Sequence, residues 1–344
     1  MCFRRDNKGM EKKKIALIID TEGWAFDNIA KQIKKNLTQY EIDIIPGRIF
    51  EGNILRLFLF CEEYDLIHFL WRGYLSLINR KEMKNYANFL GMDLEEFKEK
   101  YIYSKKVTFS VCDHLYLKGE EQWRTEEIFQ FANSYMVTSQ KLFKIYQQFS
   151  KKPGMIIHDG VDLASYQPLH LERFENIDKV RVGWVGNSKF KDSDGDEDMK
   201  GVEKIIKPAI SELQEEGYPI ELNLADRNIK MIPQEEMPNF YNSIDLYVCA
   251  SKTEGTPLTV LEAMAMGIPV ISTDVGLVSE VLGEKGKKYI LEERTKECLK
   301  EKIKQLMNNK EEFKEISEEN RLQVKNNDWK IICSQYQVFF ESNL

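Results

Sequence analysis

A chain of 344 residues is long enough to bury two cores, and 42% apolar with 31% charged side chains is a globular composition, not a disordered or fibrous one. No apolar run approaches the ~18 residues that a membrane span needs. The net charge of −7 is uneven: residues 1–165 carry 25 Lys and Arg against 23 Asp and Glu, and the remainder carries 24 against 33. An acidic half without a basic stripe excludes a nucleic-acid partner, whereas the mildly basic N-terminal half leaves peripheral contact with an anionic membrane surface open.

Cysteines stand at 2, 61, 112, 249, 298 and 333, with no CxxC and no close pair, and the four histidines lack metal-ligand spacing. The expectation is a reducing, cytoplasmic setting without zinc, other metal or a disulfide frame. MCFRRDNKGMEKKK has a basic flank but no apolar h-region, so no signal peptide is expected, and Met10 is an alternative start.

KKKIALIID (12–20) reads as a continuous apolar strand of a parallel sheet. Gly23 follows it, just before the helical stretch AFDNIAKQIKKNL; it permits either a plain tight turn or close approach of a ligand to a helix N-terminus. YEIDIIPG (40–47) and YDLIHFLWRG (64–73) are further strands. The second ends in Trp71-Arg72-Gly73, either a packed Trp with a surface Arg or a pair that holds sugar or phosphate. Residues 77–101 read as a helical insertion. KVTFSVCDHLYL (106–117) is a strand ending at Asp113-His114, and strand carboxyl ends are where open α/β sheets place ligands. His114 is then a structural histidine or a site residue. KPGMIIHDGVDLASYQP (152–168) has the Pro, Gly and Asp content of a linker.

KVRVGWVGNSKF (179–190) opens a second region with a strand and a Gly-containing turn. The acidic loop that follows carries Asp192, Asp194, Asp196 and Asp198, with Glu203 at the twelfth position of a calcium-like loop. Its sixth position, which needs Gly, is Glu197, so a solvated loop is expected. PIELNLAD (219–226) is another strand.

Residues 246–282, LYVCASKTEGTPLTVLEAMAMGIPVISTDVGLVSEVL, read as strand, loop, helix, strand, loop, helix, hence a βαβ unit. Pro257 suits the first helical turn, Gly267 a left-handed C-cap, and Pro269 a stop. Glu254 and Glu262 flank the helix N-terminus, Thr256-Pro257-Leu258-Thr259. Free N–H groups and the positive dipole end make such an end an anion site. At ~1.5 Å per helical residue the two acids are roughly 10 Å apart, enough to bracket a diphosphate. Singly, Glu262 also fits a capping box with Thr259, and Glu254 an ordinary loop acid.

EGTPLTVLEAMAMGIPVISTD resembles the E-x7-E signature of retaining GT-B glycosyltransferases, in particular the large family numbered four. The resemblance implies an α/β fold of two Rossmann-like domains facing a central cleft. It would place an acceptor domain at 1–168, a nucleotide-sugar domain at 169–325, and a terminal helix at 326–344 crossing back to the first. By resemblance, Glu254 would contact the transferred sugar and Glu262 the nucleotide ribose. Main-chain N–H groups of Thr256, Leu258 and Thr259 would line the phosphates. His114 would bond the donor sugar near the reacting centre, and Gly23 would lie in the first loop at the cleft. IIHDGVDLASYQP resembles the family's IPNGVD…F.P entry to the second domain. Lys200-Gly201 matches the family's Lys-Gly pair, a cation for the diphosphate. The family's Arg after the preceding glycine is absent: Gly186 is followed by Asn187-Ser188, so Asn187 or Lys189 would substitute.

The expected activity is transfer of a sugar, with retention, from a UDP-, GDP- or dTDP-type donor to a glycan or glycolipid acceptor at the inner face of the membrane. No metal or other cofactor is expected if Lys200 and the helix end offset the diphosphate charge. The alternatives are a same-fold epimerase, a phosphorylase, for which no pyridoxal lysine is recognisable, or a non-catalytic partner subunit.

Overall fold

The computed structural model describes residues 12–114, 117, 123–175, 177–190 and 198–344. Two parallel sheets organise it. The first has strands β1 (Lys14–Ile19), β2 (Glu41–Pro46), β3 (Leu66–Phe69), β4 (Val107–Val111), β5 (Ser134–Val137) and β6 (Met155–Ile156), in the order β2-β1-β3-β4-β5-β6. The second has β7 (Val180–Gly186), β8 (Ile220–Asp226), β9 (Leu246–Cys249), β10 (Val270–Thr273) and β11 (Ile290–Leu291), in the order β11-β10-β9-β7-β8. Parallel strands need helical crossovers, and these cover the sheet faces. This is the expected α/β class, and the βαβ reading of 246–273 holds: Tyr247, Val248 and Cys249 pair in parallel with Val270, Ile271 and Ser272.

By contact density the chain forms two compact units. One comprises Met1–Ser110, Gly119–Tyr135 and Gln335–Leu344; the other comprises Val111–Lys118 and Met136–Ser334. In the first unit β1 is apolar and fully buried from Ile15 to Ile19, as a central parallel strand requires. Beside it His68 is sealed from solvent, bonded to the Thr108 and Ser110 hydroxyls at 2.9 and 3.0 Å. Rings of Tyr336, Phe339 and Phe340 from the last helix, Trp329–Glu341, surround it. Burial disfavours the imidazolium and pushes the pKa down to about 3.

Three local expectations in this unit are corrected or refined. The second strand stops at Phe69; Arg72–Leu77 is a 3-10 turn, so Trp71-Arg72-Gly73 does not end a strand. Arg72 is 6% exposed, not a surface residue, and the Trp71 ring packs edge-on against Tyr74. Gly23 has φ +75°, and its N–H donates to Asp27 Oδ2 at 2.7 Å, so it closes the first turn of the helix Ala25–Asn36. The 77–101 insertion is helical, as expected, with helices Lys81–Phe89 and Leu94–Lys98.

In the second unit the period-2 alternation of β9 divides two cores. Leu246 and Val248 join one face with Val182, Trp184, Leu299 and Ile303. Tyr247 and Cys249 join the other with Val260, Leu261 and Met264 of the helix Leu258–Ala265. That helix therefore lies flat on the sheet with its N-terminus at the carboxyl ends of the strands.

Candidate functional site: the Lys200, Glu254 and Glu262 cluster

β9 ends at Cys249, and the loop from Ala250 to Pro257 carries the chain into the helix Leu258–Ala265. Pro257 is the N-cap, one position earlier than the sequence suggests. The helix closes in a full Schellman motif: Gly267, at φ +68°, donates to the Met264 carbonyl at 3.0 Å, and Ile268 donates to Ala263 at 2.9 Å. Gly255 must be glycine, because a Cβ there would collide with the Cys112 carbonyl.

Within this loop Glu254 is held from two sides. Its Oε1 pairs with Lys200 Nζ and accepts from Ser251 Oγ at 2.7 Å. Both charged side chains are one-fifth exposed, sheltered enough for the attraction to matter and open enough for exchange with a ligand. Lys200 also lies 5.2 Å from the Phe190 ring centre. Gly201, at φ +72°, explains the Lys-Gly pair: a Cβ would stand 2.5 Å from the Ala250 carbonyl oxygen, so only glycine brings Lys200 against this loop. His114 reaches the same loop, with Nε2 3.0 Å from the Thr253 hydroxyl.

Eight residues on, Glu262 lies half-buried in a cage of donors. Tyr241 OH reaches Oε2 at 2.7 Å; Tyr166 OH and Gln234 Nε2 reach Oε1 at 2.7 and 3.2 Å. Burial raises its pKa, and the bonds from Tyr241, Tyr166 and Gln234 pull it back. Glu262 is thus not the acid of a capping box: among the described residues no side chain caps this helix. The Thr259 hydroxyl is taken by Tyr247 OH at 2.6 Å, and the Leu258 N–H donates to the Thr256 carbonyl at 2.9 Å.

Asn187 and Lys189, the expected substitutes for the missing arginine, lie in the turn after β7. Asn187 Oδ1 accepts from the Lys189 N–H of its own turn at 3.1 Å and from Asn228 Nδ2, just past β8, at 2.7 Å, and Lys189 is exposed. Asp192, Asp194 and Asp196 lie outside the described residues. Asp198, from the same acidic stretch, is buried and caps the backbone N–H groups of Glu203 and Lys204 at 3.2 and 2.7 Å.

Several residues here escape sequence reasoning. Arg294 donates to the backbone carbonyls of Ala250 at 2.8 Å, Asp198 at 2.5 Å and Met199 at 3.3 Å, tying the Lys200 segment to the Glu254 loop. Thr273 Oγ1 holds the Ser251 carbonyl at 2.7 Å. Arg294 has no local signal at all. Tyr166 has one, its place in the F.P-like segment, where an aromatic is expected.

A cation–carboxylate pair, a helix N-terminus and a second carboxylate one helical stretch away can together take a polyhydroxylated, doubly charged ligand such as a sugar diphosphate. Residues 199–323, which contain all three groups, match the family described as glycosyl transferases group 1. The lipopolysaccharide core biosynthesis mannosyltransferase LpsB of Rhizobium meliloti is 46% identical over 59 residues, 17% of either chain. An uncharacterized glycosyltransferase of Haemophilus influenzae is 23% identical over 310 residues, 86% of this chain and 75% of that one. The chain thus spans about a sixth of the first relative's length and three-quarters of the second's. Among solved structures, HepE of Anabaena in complex with UDP and glucose superposes with a TM-score of 0.69 at 14% identity, over 96% of this chain and all of that one. A glycosyl transferases group 1 domain thus covers the cluster, and the likeness to solved structures shows the two-domain GT-B fold.

Proposed function

We propose that the chain transfers a sugar, with retention of anomeric configuration, from a nucleoside diphosphate donor to an acceptor hydroxyl in cell-surface polysaccharide or glycolipid synthesis. The observation that carries this reading is the placing of Glu254 and Glu262 at either end of one helix N-terminal stretch, with Lys200 paired to Glu254. The diphosphate docks at the N-terminus of Leu258–Ala265, where Lys200 exchanges part of its contact with Glu254 for phosphate oxygens. Glu254, oriented by Ser251, receives the donor sugar and supports positive charge developing at its anomeric carbon; Glu262 accepts from the ribose. His114, anchored on Thr253, borders the sugar. Lys200 and the helix end offset the charge of the leaving diphosphate, so the reaction runs without metal. The LpsB likeness favours an envelope glycan as product, and the UDP complex of HepE favours a UDP-type donor.

Calorimetric titration with UDP, GDP, dTDP and ADP in EDTA tests the donor site. At least one binds the wild type, and Lys200→Ala weakens it by about 10- to 100-fold, the range for a lost charge-assisted hydrogen bond. Binding that requires a divalent metal, or none with any nucleotide, contradicts the proposal.

A further inference from the structure

The insertion between β3 and β4 carries an exposed apolar cluster. On its helix Lys81–Phe89, Met83 and Ala87 face the core, whereas Tyr86 is 44%, Phe89 90% and the following Leu90 42% exposed. Phe89 is the most exposed large apolar side chain among the described residues. A frayed end does not account for this, because the turn beyond it is closed by hydrogen bonds. Gly91, at φ +78°, donates to the Asn88 carbonyl at 2.9 Å and Met92 donates to Ala87 at 3.3 Å, a full Schellman motif. Asp93 then starts the helix Leu94–Lys98 with a capping box to Glu96. A capped helical hairpin thus holds the aromatic tip out to solvent.

Cations stand beside it. Arg80, Lys81 and Lys84 are exposed and form no ion pair among the described residues. Arg80 and Lys81 sit at the helix N-terminus, where the dipole disfavours positive charge, so the helix itself gives no reason for them. At ~100° per residue, Phe89 lies between Tyr86 on one side and Lys81 on the other. Glu82, the one acid on this helix, shares the Phe89 side but lies seven residues, about 10 Å, towards the other end. On the next helix Glu95 is paired with Lys98 at 2.8 Å, and Glu96 accepts from the Asp93 N–H at 2.8 Å.

We propose that this hairpin docks on an anionic membrane surface: Tyr86, Phe89 and Leu90 enter the headgroup region, and Arg80, Lys81 and Lys84 take lipid phosphates. Aromatic and leucine side chains are the groups that this region receives, and long basic side chains lie along it with their charge at the headgroups. A second copy of the chain fits less well. A self-complementary interface would bring the three cations against their own copies, with Glu82 alone on this helix to offset them. The proposal does not depend on the donor-site reading.

The test is co-sedimentation of the full chain, without nucleotide, with vesicles of phosphatidylcholine alone and of equal parts phosphatidylcholine and phosphatidylglycerol. The wild type binds the anionic vesicles about tenfold or more tightly than the neutral ones, and the preference fades as salt rises. Phe89→Asp weakens binding to the anionic vesicles by about tenfold or more, through lost apolar insertion and added negative charge. Lys81→Gln together with Lys84→Gln removes most of the anionic preference. These positions are exposed, so both variants unfold at the wild-type temperature, which separates loss of docking from loss of fold. Equal binding to the two vesicles, binding to neither, or unchanged binding in Phe89→Asp overturns the proposal. So does a wild-type dimer that Phe89→Asp converts to a monomer. Nucleotide titration is read separately, and none of these outcomes bears on the donor site.

Discussion

Asp159 is 3% exposed, in the segment that leads from the first sheet towards the second, and its carboxylate lies against the Thr256 hydroxyl just ahead of the motif helix. Asp159 Oδ1 and Thr256 Oγ1 are both buried without a hydrogen bond of good geometry. Burial pushes the Asp159 pKa up to about 6, against which the Thr256 contact and the neighbouring His158 pull it down; His158 itself pairs with Glu280 at 3.1 Å. A carboxyl whose folded pKa is raised favours the folded state when protonated. That contribution is complete below about pH 4, is lost as pH rises through about 6, and leaves on the order of 3 kcal/mol of strain at neutral pH. Asp159→Asn, which restores the Asn-Gly wording of the resembled family, is therefore expected to raise the melting temperature at pH 7.5 by several degrees. The gain should shrink between pH 6 and 4; thermal unfolding across that range checks it, and a gain independent of pH contradicts the buried charge as its source. The same residue shows where sequence reading stops. Asp159 reads as an ordinary linker acid, because nothing within a few positions says that the Thr256 loop will close over it.

The strand, loop and helix running from Leu246 to Ala265 form an element fixed from outside as much as from within. Arg294 and Thr273 hold its carbonyls, the Lys252 N–H donates to Met199 at 2.8 Å, and Gly201 and Gly255 admit neighbouring backbone where a Cβ would not fit. Gly201→Ala places a Cβ 2.5 Å from the Ala250 carbonyl at φ +72°. The expected cost is about 1–3 kcal/mol of stability, and a larger proportional loss of nucleotide affinity, since Lys200 moves with it. Denaturant unfolding and calorimetry on the same sample measure both; full affinity in the variant would show that Lys200 is not placed by this glycine. Glu254, Glu262 and Lys200 were legible in the sequence because each sits beside a local signal: a turn glycine, a helix start, a Lys-Gly pair. Arg294 and Gln234 were not, and Tyr166 carried only the F.P-like wording of its segment. They come from segments about 30 to 100 residues away, and only the folded sheet brings them to the carboxylates.

At the scale of the molecule, the α/β class follows from apolar runs spaced by helical ones. The compact units follow no simple cut in the chain: the last ten residues close the core of the first unit around His68. The family match falls on 199–323, where Lys200, Glu254 and Glu262 lie, while the fold likeness extends over 96% of the chain. Turnover by this site is what separates an enzyme from a nucleotide-binding partner subunit. The most direct test supplies UDP- and GDP-sugars with a lipid-linked glycan acceptor in EDTA, measures nucleoside diphosphate release, and reads the new linkage by NMR. Expected are release coupled to acceptor, a product with the donor's anomeric configuration, and a loss of about 100-fold or more in Glu254→Gln. Tight nucleotide binding without release would leave a non-catalytic partner subunit, and an inverted linkage or an unimpaired Glu254→Gln would contradict the mechanism.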